Sequence, residues 1–68
     1  MNFKERLIAA RKSKGLSQEA LADALSLSRQ AISKWETGEV YPELDKLLEL
    51  SKLFSCTLDA LLKEDYEF

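Results

Sequence analysis

The stretch that decides the fold is "SQEALADALSLSRQAISKWETG", Ser17 to Gly38. Two segments in it carry apolar residues at helical spacing, and the short sequence "LSLS" separates them. Ser17 and Ser28 precede the two segments, and a serine hydroxyl is a favoured N-cap because it accepts a hydrogen bond from a first-turn amide. Gly38 follows the second segment, as glycine often does where a helix ends. The stretch therefore predicts two short helices joined by a tight turn, the second reaching about Glu36.

The second of these helices is amphipathic. Ala31, Ile32 and Trp35 share one narrow stripe, and this spacing favours a core position for Trp35 over stacking on a base. An α-helix fits the major groove of duplex DNA, where arginine pairs with two acceptors of guanine and glutamine with the N6/N7 edge of adenine. The other faces carry donors and acceptors, with no carboxylate before Glu36: Arg29, Gln30, Ser33 and Lys34.

Helical spacing continues on both sides of this stretch. Before it, the apolar stripe of a first helix begins at Phe3, and Gly15 is expected to end that helix. After it, Pro42 suits the first position of a fourth helix, where no amide hydrogen is needed. Thr57 is expected to cap a fifth. The fourth helix is predicted to be carried by Leu44, Leu47, Leu48, Leu50, Ser51, Leu53 and Phe54. The inward positions of the fifth are predicted to be Leu58, Leu61 and Leu62.

No segment shows the alternation that strands require. The sequence therefore predicts a compact all-α domain of five helices over residues 1–62, followed by a tail, residues 63–68, with no recognisable pattern. The chain has 68 residues, of which 46% are hydrophobic, enough for one small folded domain.

One cysteine and no histidine exclude an internal disulfide and a zinc site of the usual Cys/His type. No apolar run approaches the roughly 18 residues of a membrane span. We expect a cytoplasmic protein with no metal, no cofactor, no membrane partner and no small-molecule ligand. An enzyme is disfavoured, because the sequence has no phosphate-binding glycine loop and no activated nucleophile.

The net charge of −2 is unevenly distributed. Residues 1–38 contain seven basic and four acidic side chains, whereas residues 39–68 contain three basic and eight acidic ones. A local basic region matters more for attracting an anionic partner than the total charge does. The first half is therefore compatible with DNA binding, and the acidic second half is expected to face away from DNA or to meet a basic protein.

Three stretches together carry a family resemblance: "LSQEALA" (Leu16 to Ala22), "SRQAISKWETG" (Ser28 to Gly38) and "YPELDKLLELSKLF" (Tyr41 to Phe54). At this spacing they resemble the DNA-binding domain of the phage Cro and repressor helix-turn-helix superfamily, the XRE family. The resemblance covers nearly the whole chain. It implies a lambda-repressor-like domain that acts as a transcriptional regulator, typically a repressor.

The resemblance also implies roles for individual residues. Those at base-reading positions are Arg29, Gln30, Ser33 and Lys34. Those matching phosphate-binding positions are Gln18, Ser28, Thr37, the Gly38 amide and Tyr41. The resemblance further implies that Gln18 braces the recognition helix. Arg11 and Glu36 match a pair that usually forms an internal salt bridge.

The sequence departs from the family pattern at three places. Ser26 stands where the tight turn usually has glycine or asparagine, so a positive φ there would strain it by about 1 kcal/mol. Glu39 replaces a residue that is commonly basic. Cys56 replaces a usual valine and is interpreted as a small buried hydrophobic residue, not a reactive thiol.

The leading hypothesis is sequence-specific binding of a near-palindromic duplex by a homodimer, with half-sites about 34 Å apart. Its dimer surface is predicted to use the last helix and the tail through Leu61, Leu62, Tyr66 and Phe68. The alternative is a protein-interaction module on the same fold, such as an antitoxin or a partner of a regulator. Four lysines also fit the interpretation of solvent-exposed side chains without a specific contact: Lys4, Lys12, Lys14 and Lys34.

Overall fold

The computed structural model describes residues 2–62, and these form five α-helices without any strand. Residues 63–68, which include the predicted tail with Tyr66 and Phe68, lie outside the described residues. The all-α, five-helix prediction is confirmed. None of the helices in residues 2–62 has the length and apolar character needed to cross a membrane. The helices are α1 (Phe3–Ser13), α2 (Gln18–Ala24), α3 (Arg29–Thr37), α4 (Leu44–Leu53) and α5 (Leu58–Leu62).

Side-chain caps begin most of these helices. Ser17, Ser28 and Thr57 each accept a hydrogen bond from the amide three residues later, at 3.0, 3.3 and 3.0 Å respectively, as the sequence predicted. Asn2 caps α1, and Glu5 completes a reciprocal capping box by accepting from the Asn2 amide at 3.2 Å. This box was not foreseen from the sequence.

The core lies between the helices and fixes α3 most firmly. Ile32 is fully buried and Trp35 is 6% exposed, which confirms that the tryptophan is a core residue. Burial of apolar side chains of this size contributes about 1.5–3 kcal/mol each. The buried apolar residues in the described part are Phe3, Leu7, Leu21, Ala22, Leu25, Ile32, Trp35, Leu47, Leu50 and Leu61.

Helix α4 differs from the sequence prediction at its start, and it exposes apolar side chains on one face. Glu43, in extended conformation with ψ 164°, is the N-cap, so Pro42 precedes the helix instead of opening it. Pro42 is buried, and packing rather than helix initiation explains its position. Leu44 and Leu48, two of the leucines that the sequence assigned to this helix, are 63% and 43% exposed. A helix with leucines on so many sides cannot turn all of them to one core.

Two serines occupy left-handed backbone conformations. Ser26, in the turn between α2 and α3, has φ +57°, which confirms the strain expected there. Ser55, in the turn between α4 and α5, has φ +52° and was not anticipated. Both turns are closed by main-chain hydrogen bonds: the Leu27 amide to the Ala22 carbonyl at 2.8 Å, and the Cys56 amide to the Ser51 carbonyl at 3.0 Å.

Replacing Ser26 with glycine is expected to raise the free energy of unfolding by about 0.5 kcal/mol. Relief of about 1–2 kcal/mol of left-handed strain outweighs the extra backbone entropy of glycine in the unfolded chain. Urea denaturation followed by Trp35 fluorescence measures the change. Ser13→Gly, at a helical position in α1, is the matched control and is expected to destabilise the domain. Equal destabilisation by both substitutions would contradict the strain at Ser26.

Candidate nucleic-acid interface

Helix α3 presents a polar face outward from a fixed position. Its buried side packs on α2 through the core, and the α2–α3 turn is closed by the Ser26 amide, which donates to the Asp23 carbonyl at 3.2 Å. Arg29, Gln30 and Lys34 are exposed, whereas Ser33 is half-buried. We call Arg29, Gln30, Ser33 and Lys34 the reading face. The four predicted base-reading residues all lie on one helix, and three of them are exposed.

The predicted phosphate-binding residues lie near the two ends of α3. Gln18 is half-buried at the start of α2, and Ser28 is exposed at the N-cap of α3. The Thr37 hydroxyl lies 3.1 Å from the Lys34 carbonyl oxygen and 3.2 Å from Oε1 of Glu39. Tyr41 is 47% exposed beyond the C-terminal end of α3. These groups surround the reading face instead of lying on it.

Gly38 ends α3 in the left-handed conformation, with φ +84°. Its amide donates to the Lys34 and Trp35 carbonyls, so this amide takes part in the C-cap of the helix. A Cβ added at Gly38 would lie 3.3 Å from Cδ of Lys4. The aliphatic part of Lys4 therefore covers the glycine and brings a cation close to the C-terminal end of α3, a placement that the sequence did not signal.

A buried ion pair ties α3 to α1. Arg11 Nε donates to Glu36 Oε2 at 2.7 Å, and Arg11 Nη2 donates to Glu36 Oε1 at 3.2 Å. The two side chains are only 11% and 6% exposed. Arg11 Nη1 also donates to the Leu16 carbonyl at 2.9 Å. The predicted internal salt bridge is confirmed, in the bidentate geometry that arginine forms best with a carboxylate.

The same carboxylate also binds Gln18. Gln18 Nε2 donates to Glu36 Oε1 at 3.0 Å, and Gln18 Oε1 in turn accepts from Arg29 Nη1 at 3.4 Å. A continuous series of hydrogen bonds therefore runs from Arg11 in α1, through Glu36 and Gln18, to Arg29 on the reading face. The family resemblance implied the Arg11–Glu36 pair and a bracing role for Gln18, but the sequence did not show that Gln18 bonds to both Glu36 and Arg29.

Apolar side chains are exposed on the segment that leads into α4 and on α4 itself. In the described part these are Val40, Tyr41, Leu44 and Leu48. Leu61, by contrast, is only 3% exposed and belongs to the core. The prediction that Leu61 contributes to a dimer surface is therefore wrong, because α5 turns this residue toward α1 and α4. Leu62 is half-buried.

Cys56 is half-buried and packs against the core as a small apolar residue. Burial raises the pKa of the Cys56 thiol, so the fraction of reactive thiolate falls. Among residues 2–62 no three His, Cys, Asp or Glu side chains form a group able to hold a metal ion.

Two short helices pack together, and the second presents a polar face. A known protein family matches the sequence that forms them. Residues 7–61 match a family model described as helix-turn-helix. The chain belongs to this helix-turn-helix family. The family resemblance noted in the sequence is thereby confirmed over most of the chain.

Individual relatives agree with this assignment. The helix-turn-helix chain is 52% identical over 62 residues to the HTH-type transcriptional activator BcrR of Enterococcus faecalis, covering 91% of this chain and 30% of the relative. It is 44% identical over 61 residues to the prophage-derived HTH-type transcriptional regulator YonR of Bacillus subtilis, covering 90% and 56%. The chain thus spans about a third to just over half of these relatives.

A solved structure matches the helix-turn-helix domain more completely. The crystal structure of the P22 c2 repressor in complex with a synthetic operator superposes with a TM-score of 0.86 at 41% identity. The match covers 93% of this chain and 96% of that chain. The predicted lambda-repressor-like architecture is confirmed by this likeness.

Proposed function

We propose that this domain binds double-stranded DNA sequence-specifically and regulates transcription, with α3 in the major groove. The observation that carries the proposal is the rigid mounting of an exposed polar face. Ile32 and Trp35 anchor one side of α3 in the core, and Glu36 ties its C-terminal half to α1. Rigid presentation lowers the entropy cost of ordering the contact side chains on binding. The likeness to an operator-bound repressor supports the same conclusion.

Within this proposal the reading face contacts base edges. Arg29 and Gln30, in the first turn of α3, are the residues that reach the floor of the groove when a helix enters with its N-terminus first. Arginine suits a guanine and glutamine an adenine. Lys34 lies one turn further along the face, and Ser33, half-buried, contributes a hydroxyl between them.

The phosphate contacts are proposed to flank the reading face. Neutral donors contact phosphates as charged ones do, and these contacts set the register of the protein on the duplex. The Gly38 amide already donates hydrogen bonds within the C-cap. Gly38 is therefore proposed to contribute to the phosphate contacts by having no side chain of its own. The proposed residues are Gln18, Ser28, Thr37, Gly38 and Tyr41.

We further propose that the protein binds in the cytoplasm as a homodimer on a near-palindromic operator, and that occupancy of the operator represses transcription. One copy of α3 presents four side chains, too few contacts for the affinity typical of specific complexes. Two copies related by a twofold axis would read half-sites about one helical turn apart. The relatives include both an activator and a repressor, so an in-cell reporter under a selected operator tests the direction.

Salt dependence gives a quantitative test of the proposed contacts. Because all five proposed flanking residues are neutral, the cations nearest to the duplex in this proposal are Arg29, Lys34 and Lys4. The slope of log K against log salt is then expected to be no steeper than about −3 per domain. Fluorescence anisotropy on a selected operator and on a scrambled duplex, between about 50 and 200 mM salt, measures it. Equal affinity for the two duplexes would contradict the proposed function.

A further inference from the structure

Glu39 follows the C-terminal end of α3 and lies beside a proposed phosphate contact, the Thr37 hydroxyl. Oε1 of Glu39 is 3.2 Å from Thr37 Oγ1, and both side chains are exposed. The backbone of duplex DNA is anionic along its whole length. A carboxylate of the protein therefore occupies the hydroxyl that a phosphate oxygen would need.

The Thr37 hydroxyl has a single proton and two acceptors within reach, Glu39 Oε1 and, at 3.1 Å, the Lys34 carbonyl oxygen. The Lys34 carbonyl already accepts from the main-chain amides of Gly38 and Glu39, the latter at 3.0 Å. The carboxylate is also the stronger acceptor, because a charge-assisted hydrogen bond is about twice as strong as a neutral one. The proton therefore goes to Glu39, and in the free protein Thr37 has no donor to offer a phosphate.

We propose that Glu39 competes with the DNA backbone for the Thr37 hydroxyl and thereby limits the affinity of the domain for its operator. The inference rests on the proposed function and deepens it. A phosphate oxygen only accepts hydrogen bonds, and two anions cannot share one proton. The phosphate can bind Thr37 only after the Glu39 side chain has rotated away. Binding must therefore break the Thr37–Glu39 hydrogen bond, which weakens the complex by the free energy of that bond.

Moving or removing this side chain leaves the end of α3 in place. The Glu39 amide donates to the Lys34 carbonyl, and this main-chain bond does not depend on the Glu39 side chain. The carboxylate is exposed, so its release buries no charge and its removal opens no cavity in the core. Substitution of Glu39 therefore changes the competition without changing the fold.

The test is a double-mutant cycle in affinity for the selected operator. Wild type, Glu39→Ala, Thr37→Val and the double variant are titrated by fluorescence anisotropy at about 150 mM salt, where the Debye length is about 8 Å. Glu39→Ala is expected to strengthen binding by about threefold to tenfold, the range of one net hydrogen bond. Thr37→Val keeps the shape of threonine without its donor. Beside it, Glu39→Ala should strengthen binding by less than about twofold.

Two further variants separate competition from net charge. Glu43 is exposed and, as the N-cap of α4, makes no side-chain capping hydrogen bond. Glu43→Ala removes the same negative charge as Glu39→Ala, so through long-range repulsion alone it should strengthen binding by less than about twofold, with or without Thr37→Val. Thr37→Ser keeps the hydroxyl, and beside it the full gain from Glu39→Ala should return.

An equal gain from Glu39→Ala with and without Thr37→Val would reveal a simple charge effect and overturn the competition. Unchanged or weaker binding in Glu39→Ala would overturn it as well. Both results leave the preference of the wild type for the operator over a scrambled duplex intact. Equal affinity of the wild type for these two duplexes would instead overturn the proposed function, and the competition with it.

Discussion

Replacement of Glu36 by alanine is expected to lower the free energy of unfolding by about 3–5 kcal/mol. The substitution leaves the guanidinium of Arg11, 11% exposed, without its carboxylate, and it removes the acceptor of Gln18 Nε2. An uncompensated buried charge is among the most costly single changes a small protein can suffer. Since domains of this size have about 0.05–0.15 kcal/mol of stability per residue, a large fraction of the variant is expected to be unfolded.

Urea denaturation monitored through Trp35, the single tryptophan, measures this loss. Glu49→Ala is the matched control, because Glu49 pairs with Lys46 at 3.1 Å but is 45% exposed. Exposed pairs contribute about 0–1 kcal/mol, so the control should be close to neutral. Replacing both Arg11 and Glu36 with methionine should cost less than the sum of the two single changes, because no buried charge remains. Similar losses in Glu36→Ala and Glu49→Ala would contradict the structural role of the buried pair.

The second large effect is expected at Arg29. Arg29→Ala should reduce discrimination at one base pair by about tenfold to a hundredfold, because a bidentate arginine–guanine contact is worth about 1–3 kcal/mol. Discrimination at the other positions should change little. Competition binding on a set of operators, each changed at one base pair, measures the profile.

Stability should hardly change in Arg29→Ala, since this side chain is exposed and makes one hydrogen bond, to Gln18 at 3.4 Å. Lys14→Ala, at the exposed C-cap of α1, is a matched loss of one positive charge from a residue outside the reading face. It should weaken all duplexes slightly and alike, through long-range attraction only. A uniform loss in Arg29→Ala, indistinguishable from that of Lys14→Ala, would show that Arg29 contacts phosphate and not a base.

Local signals in the sequence predicted most of the fold. Ser17, Ser28 and Thr57 cap helices because a short hydroxyl side chain satisfies a first-turn amide wherever it stands. The stripe formed by Ile32 and Trp35 predicted which side of α3 is buried. Because these features depend on residues within one or two helical turns, they can be predicted without a tertiary structure.

Features that depend on tertiary packing were missed or mistaken. Proline is favourable both at the first position of a helix and just before it, so its chemistry could not place the start of α4. Leucine periodicity did not show which leucines of that helix are buried, and Leu44 and Leu48 share a side that no other described helix covers. Leu61 was predicted both to point inward and to contribute to a dimer surface, and its exposure of 3% fits only the inward position. Which leucine faces the core depends on how α4 and α5 meet.

The candidate site likewise has features that local sequence predicted and features that depend on tertiary packing. The family resemblance implied the Arg11–Glu36 pair, but the sequence did not show that Gln18 joins this pair to Arg29 in one series of hydrogen bonds. Residues 11 and 36 are 25 positions apart, and the contact depends on the crossing of α1 and α3. The orientation of the Gln18 amide follows only from what lies on each side of it. The packing of α1, α2 and α3 therefore joins residues that are distant in the sequence into one hydrogen-bonded site.

The most direct test of the account is a selection of bound sequences from a random duplex pool by the full chain. The account predicts an enriched site with twofold symmetry and half-sites centred about one helical turn apart. It also predicts a strongly preferred guanine in each half-site, and the loss of this preference in Arg29→Ala. Failure to enrich any sequence, or enrichment of a site whose base preferences Arg29→Ala leaves unchanged, would contradict it.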